Sequence, residues 1–480
     1  MTVTMVSAVR NRWTLAAVAL LAVAIGAAAL ACGESPRLVQ DAVGEDPAAA
    51  KAAVAALRAQ GPAGLRRLMR VQAEERAAVQ MKCAAETPQE QARAKRFEAA
   101  IDAVAAQKDA SASGLYWYTD LEQAKAAATR EGKPILSLRL LGNLDSEYSC
   151  ANSRFFRTVL YADAEVGKAL RDRFVLHWKS VRPVPKVTID MGDGRTICRT
   201  ITGNSIHYVL DAQGRVIDAL PGLYGAKAFL RGLDAAEREE RELRKAGGDA
   251  NARAASLAQW HGDRVAATEV AWSQDLRWAG IPGGPIASVN RDFATGWPPN
   301  GPRPGALDAA TRVVSKTKVE WNIVRALAPR FAALEASTDA SVWPRIAALP
   351  AHAEDGRLGE GSRAMVRAKH ESSGPSAGVA VRLAVGKAMQ EDPVLRVIRT
   401  FERSVAEDTV RNEYGFHRKI HEWFATRMTE TTAEDPGALD RLNERVYSDL
   451  FLTPSSDPWL GLVPDDAYAA LEGRGTRNAE

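Results

Sequence analysis

The stretch Glu131–Ser153 reads EGKPILSLRLLGNLDSEYSCANS, and three changes of character lie within it. Gly132 stops an amphipathic run that begins at Leu121 and reaches Arg130. Lys133-Pro134 then leads into Ile135–Leu140, whose only charge is Arg139. A short, nearly continuous apolar run of this kind predicts a strand covered on both faces, as in a parallel sheet. A polar loop, Gly142 to Ser149, separates that strand from Cys150-Ala151-Asn152-Ser153, which opens a second helix. Helix, buried strand, loop and helix in about 30 residues predict an α/β unit.

The pattern continues on both sides. Upstream, Tyr116-Trp117 introduces the first helix. Downstream, Asp163-Ala164-Glu165-Val166 caps a helix running to Leu170, and Phe174–Trp178 is a second strand. Val187–Asp190 and Thr196–Thr200 flank Gly192-Asp193-Gly194 and predict a hairpin. Thr202-Gly203-Asn204-Ser205 precedes a further strand, Ile206–Leu210. Asp211-Ala212-Gln213-Gly214 turns the chain into Val216–Ala219, and Pro221-Gly222 leads to a last helix, Ala226–Leu233.

This order, with Glu131-Gly132-Lys133-Pro134-Ile135-Leu136, Asp163-Ala164-Glu165-Val166 and Leu210-Asp211-Ala212-Gln213-Gly214-Arg215-Val216, resembles the thioredoxin-like superfamily, in particular its exported branch. The resemblance covers residues 113–235, a quarter of the chain. It implies an α/β thioredoxin-like domain embedded in an otherwise mostly α-helical chain. By the family's spacing Cys150 takes the nucleophile position of CxxC, Ser153 the resolving position and Ser205 the place of the usual cis-proline. The motif is therefore a degenerate Cys-x-x-Ser, and the strand before it lacks the family's acidic residue. Serine cannot resolve a mixed disulfide. One cysteine at a helix N-terminus still retains the dipole that favours thiolate. The fold further implies that the loop carrying Cys198 faces the cysteine helix, which makes a Cys150–Cys198 disulfide a candidate, with Cys83 the other candidate partner.

The rest of the chain sets the context. There are 480 residues, or about three units at roughly 150 per domain. Lys+Arg number 63 and Asp+Glu 59, too even a balance for nucleic-acid binding through a basic field. Four cysteines exclude a disulfide scaffold. Arg10 and Arg12 precede an uncharged, alanine-rich run, Thr14–Ala31, that ends in small residues, the layout of a secretory signal over residues 1–31. Ala29-Leu30-Ala31 suits ordinary signal peptidase, and Leu30-Ala31-Cys32 resembles a bacterial lipobox with Cys32 as the lipidated residue. Residues 32–112 read as a helical region, with Val54, Leu57, Leu65, Leu68, Met69 and Val71 at helical spacing and Gly61-Pro62 between two helices. Residues 236–480 read as a helical C-terminal domain entered through a charged helix (Glu237–Lys245) and a linker at Gly247-Gly248.

Three constellations lie in that last part. Glu413, His417 and His421, four apart on a predicted helix, are weak metal-ligand candidates, because Val410, Tyr414 and Phe424 share their stripe and mark a packed face. Ser376, within Gly374-Pro375-Ser376-Ala377-Gly378, and Lys419 resemble the pair of a Lon-type Ser/Lys peptidase, although the flanking boxes are absent. Trp272, Trp278, Trp297, Trp321, Trp343, Trp423 and Trp459 either anchor a helical core or line a groove. The expectation is an exported, lipid-anchored thioredoxin-fold protein of a bacterial envelope, periplasmic or at the outer surface. No cofactor, no metal and no nucleic acid are expected, and its partners are the membrane and an envelope protein. A thiol-disulfide exchange or isomerase-type enzyme using Cys150 is the alternative. A metal-dependent or Ser/Lys hydrolase in the C-terminal half is the remote one.

Overall fold

A computed structural model describes residues 36–82, 86–200, 203–281, 334–335, 337–371, 393–427, 435 and 437–456. The signal and lipidation positions up to Cys32, Cys83, Ser376, Trp297, Trp321 and Trp459 lie outside the described residues. The chain divides into two compact units, residues 1–100 and 101–480.

In the first unit, α1 (Pro36–Ala42), α2 (Pro47–Ala59), α3 (Pro62–Met81) and α4 (Pro88–Ala105, which runs into the second unit) follow one another. Val39, Leu57, Leu65, Leu68 and Phe97 are buried. Asp46 caps α2 by accepting from the Ala48 backbone N–H, and Gly61 at φ 65° with Pro62 makes the break before α3. A Cβ on Gly64 would lie 1.9 Å from the Leu57 carbonyl oxygen, so only glycine permits this approach of α3 to α2.

The second unit is built on a five-stranded sheet in the order β1-β3-β2-β6-β7. Its strands are β1 (Trp117–Tyr118), β2 (Ile135–Leu141), β3 (Val175–Arg182), β6 (Ser205–Leu210) and β7 (Val216–Pro221). β1, β3 and β2 are parallel, β6 is antiparallel to β2, and β7 is antiparallel to β6. β4 (Lys186–Asp190) and β5 (Thr196–Thr200) form a separate antiparallel hairpin, turned by Gly192 and Gly194 at positive φ. Every residue of β2, β6 and β7 is buried, which explains why their apolar runs hardly alternate.

The connections follow local rules. Asp120 caps α5 (Leu121–Glu131) at Gln123 N–H, and Gly132 ends it in the left-handed region. Cys150 caps α6 (Ala151–Phe155), which passes into a π-helical turn, Phe156–Leu160. Asp163 caps α7 (Ala164–Arg173). The last helix of the α/β region and the charged helix after it are one element, α8 (Ala226–Ala246), because Asp234-Ala235-Ala236 contains no breaker and the buried stripe continues through Ala236, Glu240 and Leu243. Gly247 and Gly248, both at positive φ, turn directly into α9 (Ala250–Trp278), capped by Asp249.

The C-terminal elements share the sheet's core. α10 (Trp343–Ala347), α11 (Pro350–Asp355), α12 (Glu360–Glu371), α13 (Pro393–Arg411), a π-helical turn (Asn412–His417), α14 (Arg418–Arg427), α15 (Ala438–Arg445) and a second π turn (Val446–Leu450) follow in order among the described residues. One hydrophobic cluster runs from Leu115 and Leu138 through Trp272 and Trp343 to Tyr447 and Phe451. Trp272 stacks on Tyr414 at 5.5 Å and packs against Trp343, so these two tryptophans anchor a core and line no groove. Trp278 is exposed.

Candidate functional site

The Cys150 region is assembled from the end of β2, the start of α6 and the start of β6. Cys150 N–H donates to the Leu141 carbonyl (3.2 Å), its Sγ accepts from Ser153 N–H (3.4 Å), and Ser153 Oγ donates back to the Cys150 carbonyl (3.0 Å). The sulfur therefore fills the N-cap role, in which it satisfies a helix-terminal donor. Ser205, first residue of β6, is brought beside this helix, and Asn152 Nδ2 donates to its Oγ at 2.8 Å. Gly203 closes on the same place, where a Cβ would lie 2.7 Å from Asn152 Oδ1. The three positions that the resemblance singles out thus meet at one helix N-terminus.

Their exposure decides the chemistry. Cys150, Asn152, Ser153 and Ser205 each have 0% of their surface open to solvent, and Cys150 belongs to the hydrophobic cluster. Cys150 and Cys198 are both free thiols, so the Cys150–Cys198 disulfide is not formed. The hairpin does reach the helix, through Thr200 Oγ1 donating to the Ser149 carbonyl (3.2 Å). However, Cys198 lies on the exposed hairpin opposite Thr188, while the Cys150 sulfur is committed to its cap and the core.

β2 holds a buried base and no acid. Arg139 is buried in the strand, donating to Ser137 Oγ (3.3 Å) and to Asp440 Oδ1 of α15 (3.2 Å). Burial pushes the Arg139 guanidinium pKa down and the Asp440 carboxylate works against that. The carboxylate that pairs with Arg139 therefore comes from 301 residues away.

A second group of chemical side chains lies where β7 meets the helices. Asp218 sits inside Val216-Ile217-Asp218-Ala219-Leu220, every residue of which is buried. His417 Nε2 is 3.3 Å from both Asp218 oxygens, and His421 Nδ1 is 3.8 Å from Oδ1. His261, on α9, faces His421 with the two Nδ1 atoms 2.8 Å apart, and its Nε2 lies 3.1 Å from the Ile217 carbonyl. Trp260 and Phe424 pack on these rings. Burial alone would raise the Asp218 carboxyl, but the surrounding imidazoles hold it well below the usual carboxylate range. Burial pushes His261 down to about 4 and His421 further down.

Of the three sequence candidates, the structure keeps His417 and His421 together and takes Glu413 away. The four-residue spacing fails because Asn412–His417 is a π turn, which rotates Glu413 out of register with the α-helical face. Glu413 instead lies 3.5 Å from Arg231, in the wall of a cavity of about 410 Å³ that His417, Tyr224, Arg238 and Arg264 also line. Asp218 and His261 were missed. An acid alone in an apolar strand is costly unless partnered, and that was the available signal for Asp218. His261 carried none. Lys419 is buried, and burial with the Arg418 charge brings it down to about 7, Glu335 and Glu422 opposing.

Among the described residues no helix is long and apolar enough to cross a membrane. No family model, no curated protein and no solved structure matches this chain.

Proposed function

We propose that residues 113–235 are a thioredoxin-like domain that has given up thiol-disulfide chemistry, in an exported, lipid-anchored envelope protein that works through interaction. The strand order, with three parallel strands followed by two antiparallel ones and a cysteine capping the helix after β2, supports the domain reading. The observation that carries the loss of chemistry is the Cys150 sulfur, closed to solvent and spent on Ser153 N–H, with serine at the resolving position. A nucleophilic thiolate has to reach a substrate disulfide. The exposed Ile189, Met191 and Ile197 of the β4–β5 hairpin are apolar surface suited to a protein partner.

Insulin reduction and refolding of scrambled ribonuclease test the reading on the intact chain. Wild type and Cys150→Ser are both expected to match the uncatalysed rate. A wild-type rate well above background that disappears in Cys150→Ser would establish the monothiol enzyme instead.

A further inference from the structure

The geometry points to a metal site that holds one divalent first-row transition ion, zinc being the best match, on Asp218, His261 and His421. These three bring one donor atom each, all within 4.8 Å of one another and all buried. Tetrahedral donors at the usual bond lengths of about 2.0–2.1 Å stand roughly 3.3 Å apart. The observed separations, 2.8 Å between the two Nδ1 atoms and 3.8 Å from His421 Nδ1 to Asp218 Oδ1, lie on either side of that value. The third pair, His261 with Asp218, falls within the 4.8 Å that encloses all three donors, so an ion binds by drawing side chains of three elements onto one centre.

The outer contacts suit the same purpose. His261 Nε2–H donating to the Ile217 carbonyl fixes the tautomer and turns the Nδ1 lone pair to His421 Nδ1, whose proton the ion displaces on binding. Ile217 adjoins Asp218, so β7 supplies both a ligand and the group that orients another. His417 Nε2 spans both Asp218 oxygens and its ring packs tilted against His421 at 4.2 Å, which holds the carboxylate from the side of the cavity. Two imidazoles and one carboxylate are the borderline donors that zinc prefers over calcium or magnesium. Three protein donors leave a fourth position for a small ligand. Bound there, the ion ties β7 to α9 and α14.

The test uses the full-length chain, stripped with chelator and titrated with Zn²⁺ against a chromophoric competitor. One ion per chain is expected. X-ray absorption of the zinc-loaded wild type is expected to show two imidazoles with oxygen and no sulfur. The His261→Gln/His421→Gln double variant should bind about 100-fold more weakly or worse, whereas His352→Gln should be unchanged. No stoichiometric binding, a sulfur-containing shell, or a folded double variant of wild-type affinity would overturn the proposal. If that variant does not fold, the wild-type absorption spectrum decides alone.

Discussion

Gly132 and Gly222 both have positive φ, 65° and 79°, but differ in what surrounds them. At Gly132 a Cβ would meet nothing within 4 Å, whereas at Gly222 it would lie 2.5 Å from Asn412 Oδ1, beside the point where Asn412 Nδ2 donates to the Leu223 carbonyl. The left-handed conformation costs an alanine about 1–2 kcal/mol at either site. Gly222→Ala must also displace the first residue of the π turn that carries His417. We expect Gly132→Ala to cost about 1 kcal/mol and Gly222→Ala about 2–4 kcal/mol by urea denaturation. Equal losses would mean that the packing at Gly222 is incidental. Residue chemistry was legible only in part. Cys150, Ser153 and Ser205 stand out only through the resemblance, by the family's spacing counted back from Val166 and along Gly203-Asn204-Ser205. Their burial was not legible, since it depends on elements more than 200 residues away, such as Tyr447, whose hydroxyl donates to the Asn204 carbonyl (3.0 Å).

Elements were read best where punctuation is local. Gly132, Asp163, the Asp211–Gly214 turn and Gly192/Gly194 mark boundaries through backbone preference and capping alone, and the structure has strands or helices starting and stopping there. The π turns left no such mark, because a one-residue insertion in a helix changes neither composition nor caps. Two strands carry a further consequence. His177 on β3 is 2.8 Å from Ser137 Oγ and His207 on β6 is 2.7 Å from the Tyr161 hydroxyl, and both rings are buried. Burial pushes each imidazole down to about 3. In the unfolded chain they titrate near 6.5, so below that pH the unfolded state takes up protons that the folded state refuses. Their contribution is fully present above pH 6.5 and is lost as pH falls towards 3, at up to about 1.4 kcal/mol per pH unit for each ring. His352 acts in another window. Burial presses it down, but the Asp275 carboxylate beside it, with Glu413 and Asp355 beyond, carries it above its ordinary value. Its contribution is complete below 6.5 and is lost as pH rises past that point. Unfolding free energies from urea melts between pH 7 and 4.5 should therefore decline steadily on acidification. A flat or rising profile would contradict the burial of His177 and His207.

At the scale of the molecule, one hydrophobic cluster joins the sheet to the C-terminal helices, and two buried or half-buried arginines of the sheet find their partners in the C-terminal segment. Asp440 answers Arg139, and Arg182 donates to the carbonyls of Thr453 and Pro454. Sequence periodicity finds the faces of such helices but cannot say which strand each one covers, and the pairing of Asp218 with His261 and His421 was hidden for that reason. This enclosure closes Cys150 to solvent. Alkylation of the intact native chain, followed cysteine by cysteine by mass spectrometry, measures it directly. Cys198, partly exposed, should label readily, and Cys150 should label about 1000-fold more slowly, only as the protein opens, and at full rate in denaturant. Labelling of native Cys150 as fast as Cys198 would contradict its enclosure and restore the thiol as the working group.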